Sequence, residues 1–136
     1  MLDKIRWIQA VPYNTMVGVC DNPEAMYAGL EAVGFKDARQ TDMAQGYAST
    51  WNFDSPKGQC IVMRFPPDMV DNAASVIAHE CLHVTQMIHE DVGEYEPGRE
   101  AHAYLLDYLV EFTMDALSLK VTRVRKKKNE VPETTS

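Results

Sequence analysis

His79-Glu80-Cys81-Leu82-His83 sets two imidazoles four residues apart, with a carboxylate beside the first. On a helix, positions four apart lie about 40° apart around the axis and one turn along it, so both rings can reach one ion. Each would give one nitrogen at roughly 2.0–2.1 Å, the distance at which imidazole binds zinc. Glu80 sits about 80° from the midline of the pair and leans over that point without ligating. A carboxylate so placed can take a proton from a metal-activated water. These residue types at this spacing are what metal-assisted hydrolysis requires.

A catalytic zinc site takes a third protein ligand and keeps one position open. The downstream candidates are His89, Glu90, Glu94, Glu96, Glu100 and His102. His89 points about 100° away from the pair, and Glu90 lies about 10 Å beyond His83. Glu94 and Glu96 fall in a connection around Gly93 and Pro97-Gly98. Glu100 and His102 stand about 160° apart at the start of a further helix, so only one of them can face the metal. Glu100 is preferred, on the expectation that an antiparallel helix pair brings its start back over the metal. Cys81, about 200° from His79, reads as a packed residue.

The sequence His79-Glu80-Cys81-Leu82-His83 followed by Glu100-Ala101-His102-Ala103-Tyr104 resembles the small zincin-like metallopeptidases of bacteriophages and prophages, which are similar to gluzincins. The resemblance implies His79, His83 and Glu100 as zinc ligands, Glu80 as general base, one Zn2+ per chain and a peptide or protein substrate. It also implies that the strand before the motif, residues 59–65, is the sheet edge that holds an extended peptide; the residues themselves read equally as an interior strand paired on both sides, since sequence does not give strand order. Tyr104, one turn beyond Glu100, is a candidate donor to the oxyanion of a tetrahedral intermediate, and equally reads as an aromatic packed between helices. Asp107 and Glu111 share the helical face of Glu100 and could accept from ligand imidazoles, or simply face solvent.

The elements that must position these residues are legible from periodicity and punctuation. Residues 5–11 and 15–20 read as short strands. Asn22 is a good N-cap before Pro23, and Met26, Leu30 and Val33 recur at helical spacing up to Gly34. Residues 48–53 and 59–65 read as a hairpin around Asp54-Ser55-Pro56-Lys57-Gly58. A helix is expected from near Asp68 or Asp71 to Asp91, stopped by Gly93. A second runs from Pro97 to Ser118, with Leu105, Leu106, Leu109, Phe112, Leu117 and Leu119 supplying an apolar face. The expected fold is α+β and zincin-like: a small sheet and one helix, then two long helices carrying the metal site.

A chain of 136 residues fits one compact domain, taken as residues 1–119, with a tail of residues 120–136. Residues 1–119 hold 18 acidic and 7 basic side chains, a net −11, which disfavours nucleic acid as a partner. The tail holds 6 basic and 2 acidic side chains, a net +4. It reads as a solvated helix end running into a flexible segment, with nucleic-acid contact the lesser alternative. Three cysteines without C-x-x-C spacing argue against a disulfide framework and for a reducing compartment. No stretch approaches the roughly 18 apolar residues a membrane span needs, and the charged N-terminus does not read as a secretory signal. A cytoplasmic location follows, in a host cell if the gene is phage-borne. The competing expectation is a non-catalytic metal-binding interaction module of phage or bacterial origin.

Overall fold

The computed structural model describes residues 2–40, 47–55, 58–67, 69, 73–93 and 98–119. Four strands, β1 (Arg6–Gln9), β2 (Thr15–Cys20), β3 (Ser49–Ser55) and β4 (Gly58–Arg64), form one sheet in the order β1-β2-β4-β3. The helices are α1 (Pro23–Ala32), α2 (Ala73–Asp91) and α3 (Arg99–Ala116). The fold is therefore α+β with a small mixed sheet. Among the described residues no helix is long and apolar enough to cross a membrane.

Strand alternation divides the core into two layers. Ile61 and Met63 of β4, with Val17 and Val19 of β2, join Ile77, Cys81, Val84, Ile88, Leu105 and Leu109 of α2 and α3. Cys60 and Val62 point the other way and join Ala25, Met26 and Leu30 of α1. A strand covered on both faces needs apolar residues at every position. That is why β4 shows no hydrophobic-polar alternation, and even Gln59 and Arg64 at its ends are buried.

α1 begins where the sequence marks it. The Asn22 side chain accepts from the Ala25 N–H at 2.8 Å, and Pro23 takes the first helical position. Gly34 and Gly93, with φ of +107° and +78°, follow α1 and α2 in the left-handed region where glycine carries no steric penalty. Strand β1 ends at Gln9, sooner than expected, because Ala10 to Tyr13 turn back on themselves: Tyr13 N–H donates to Ala10 O and Ala10 N–H to Thr15 O. The expected helix start at Asp68 or Asp71 lies outside the described residues, as do Pro56 and Lys57 of the hairpin turn and the tail from Lys120.

β4 is antiparallel to β3, in register Thr50↔Met63, and parallel to β2, in register Val19↔Met63. The expectation that this strand is the open edge is therefore overturned: β4 is interior, and β1 and β3 are the edges. The parallel pairing of β2 with β4, which hydrophobic pattern does not encode, is the reason.

Candidate active site

α2 lies across the sheet, antiparallel to β4. Cys81 Sγ is 3.9 Å from Met63 Sδ near one end, and Gln59 Nε2 donates to Met87 O at 3.5 Å near the other. Its buried stripe, including Ile77, Glu80, Cys81, Val84 and Ile88, rests on the core, which leaves His79 and His83 exposed. Their Nε2 atoms are 3.1 Å apart, and the rings meet edge to face with centroids 4.6 Å apart. Two nitrogens bound tetrahedrally at 2.0–2.1 Å stand about 3.4 Å from one another. The pair is thus within a few tenths of an ångström of what a shared ion demands, and the donor set suits zinc. The same distance suits a hydrogen bond between the rings, in which one nitrogen donates and the other accepts.

Glu80, one position on, is only 7% exposed. Oε1 accepts a hydrogen bond of 2.6 Å from Thr50 Oγ1, and Oε2 lies 3.9 Å from His79 Nε2. Thr50 belongs to β3. Because β3 and α2 both run antiparallel to β4, they run alongside each other, with Thr50 level with Glu80. Thr50 has no motif to announce it. Its only signal is the period-two alternation with Trp51 and Phe53, which pack into the α1 layer and so send Thr50 to the α2 side.

Cys81 is buried against Thr113, Sγ to Oγ1 3.5 Å, and burial pushes its thiol from 9.0 up to about 11. It is a packed, protonated side chain, which matches its expected place facing away from the imidazole pair.

The structure does not bring Glu100 to this cluster. α2 and α3 are antiparallel, with His89 stacked on His102 at one end and Cys81 against Thr113 further along. Glu100 lies two residues beyond His102 and His83 six residues before His89, so about 12 Å of helix axis separates their levels. The start of α3 returns over the end of α2, not over its middle. Glu100 also faces outward: Leu105, Leu109 and Thr113 form the buried stripe of α3, and Glu100 lies about 180° from it, exposed like Asp107 and Glu111. Among the described residues no group of three or more His, Cys, Asp or Glu side chains is arranged to hold a metal ion.

Tyr104 is displaced for the same reason. It is 70% exposed and lines a groove with Val11, Pro12, Tyr13 and Tyr108, on the side of α3 that meets the β1–β2 turn. His89 is buried edge-on to Tyr13 and stacked on the half-buried His102, so these two histidines form an aromatic cluster of their own. Glu90 is exposed at the end of α2, and Glu94 and Glu96 lie outside the described residues. Comparison of the chain with protein families, with curated proteins and with solved structures finds no match.

Proposed function

We propose that this chain is a zinc-dependent hydrolase with a zincin-like fold, cleaving a peptide or another amide. The observation that carries the reading is the convergence of His79 Nε2 and His83 Nε2 to 3.1 Å beside the tethered carboxylate of Glu80. His79 and His83 would supply two of the ion's ligands, and among the described residues no third stands beside them. When bound, zinc would supply Lewis-acid polarisation of the scissile carbonyl and a lowered pKa for the attacking water. Glu80 takes one proton from that water as its oxygen bonds to the carbonyl carbon. It then returns the proton to the leaving nitrogen as the C–N bond breaks, giving a carboxylic acid and an amine. Oε2 is the oxygen free to do this, since Oε1 is already engaged by Thr50. β3, alongside α2 at the edge of the sheet, is where an extended substrate would gain main-chain hydrogen bonds.

The test is the metal content of the purified chain by elemental mass spectrometry, with His79→Ala beside it, followed by a peptide-library cleavage screen. One zinc per chain, lost in His79→Ala, is the expected result. Glu80→Gln should keep the zinc and abolish cleavage. Metal retained with cleavage equal in parent and Glu80→Gln would remove Glu80 as the base. No metal uptake with zinc in excess would remove the hydrolase reading.

A further inference from the structure

We infer that Thr50 is a positioning residue for Glu80, an inference that rests on the hydrolase reading above. Its hydroxyl holds one carboxylate oxygen so that the other is presented to the imidazole pair. The 2.6 Å separation falls in the range of charge-assisted O–H···O⁻ bonds, about 2.5–2.7 Å. The donor is stiff: a β-branched side chain has few χ1 choices, and its backbone is locked in the β3–β4 ladder at Thr50↔Met63. The acceptor is pliable, since a glutamate turns about three side-chain bonds and those turns must be stopped for a general base to work. With Oε1 held by Thr50, Oε2 lies 3.9 Å from His79 Nε2.

The donor's address adds a second consequence. Thr50 comes from the sheet edge rather than from α2, so base and substrate strand are referred to one element. A peptide paired along β3 would therefore lie in a fixed relation to the hydroxyl that orients Glu80. Simple satisfaction of a buried carboxylate would also use this bond, and that role makes no demand on the imidazole pair.

Three cobalt-loaded proteins separate the two roles: the full chain, Thr50→Val and Thr50→Ser. The readouts are cobalt per chain, the visible absorption spectrum of the bound cobalt, and cleavage of a peptide taken from the screen. All three should bind one cobalt. In Thr50→Val the visible bands should move, as they should in Glu80→Gln, and kcat should fall by about 10–100-fold at near-constant KM. Thr50→Ser should restore both. A Thr50→Val protein that melts earlier but keeps the parent's spectrum and kcat would overturn the proposal and leave the hydrolase reading intact. Without a cleaved peptide the spectrum decides alone. A parent chain that takes up no cobalt would overturn both.

Discussion

Glu100 is where residue-level reading and geometry part. Motif spacing and resemblance make it a zinc ligand, but the stacking of His89 on His102 fixes a helix register that leaves it about 12 Å along the axis from His83. Glu100→Ala should therefore leave zinc stoichiometry at the parent's value, while His83→Ala lowers it as His79→Ala does. Elemental analysis of the three variants checks this. Zinc lost in Glu100→Ala would mean that α3 adopts another register when metal is bound. The parts of the site confined to one turn of helix were legible in the sequence, because a four-residue spacing fixes relative direction on any α-helix. Thr50 was not legible, because its contact spans thirty residues and depends on which strand lies beside α2.

At the scale of elements, β2 shows how tightly the sheet is closed against its neighbours. Gly18 faces Trp7 across the β1–β2 pair, and a Cβ there would lie 2.6 Å from Ile5 Cγ2 and 2.8 Å from Trp7 Cζ3. Gly18→Ala should destabilise the protein by about 1–3 kcal/mol, seen as a lower urea midpoint with an unchanged slope. Strand and helix boundaries were read well wherever a cap or stop stood at them, as at Asn22, Gly34 and Gly93. Strand order was not readable. Residues 59–65 show the same apolar run whether the strand is an edge beneath two layers or an interior strand, and only pairing with β2 decides between them.

At the scale of the whole molecule, Cys20, Cys60 and Cys81 are all buried, free thiols. Burial is the main cause that pushes Cys20 from 9.0 to about 12, and Cys60 and Cys81 to about 11. The native protein should resist iodoacetamide at pH 8, whereas the urea-unfolded chain should take three adducts by mass spectrometry. The sign of the pH effect follows from proton binding. Above about pH 9 the unfolded chain releases thiol protons that the folded chain retains, so stability falls as pH rises through 9 toward 11–12. Melting temperatures should be level with respect to these groups below pH 9 and decline beyond it. Replacing Cys20 with alanine should flatten part of that decline.

The parallel pairing of β2 with β4 also bears on how the chain reaches this state. The β3–β4 hairpin and the α2–α3 pair join neighbours in sequence and close over short loops. β2 must instead find β4 across the whole of α1 and β3, with Thr15 and Gln59 in register forty-four residues apart. The entropy of closing that span is spent before its contacts repay it, which makes this pairing the slow event of folding. The imidazole pair needs only a formed α2. Thr50 needs the hairpin docked as well, so the carboxylate gains its anchor only after the helix that carries it has found the sheet.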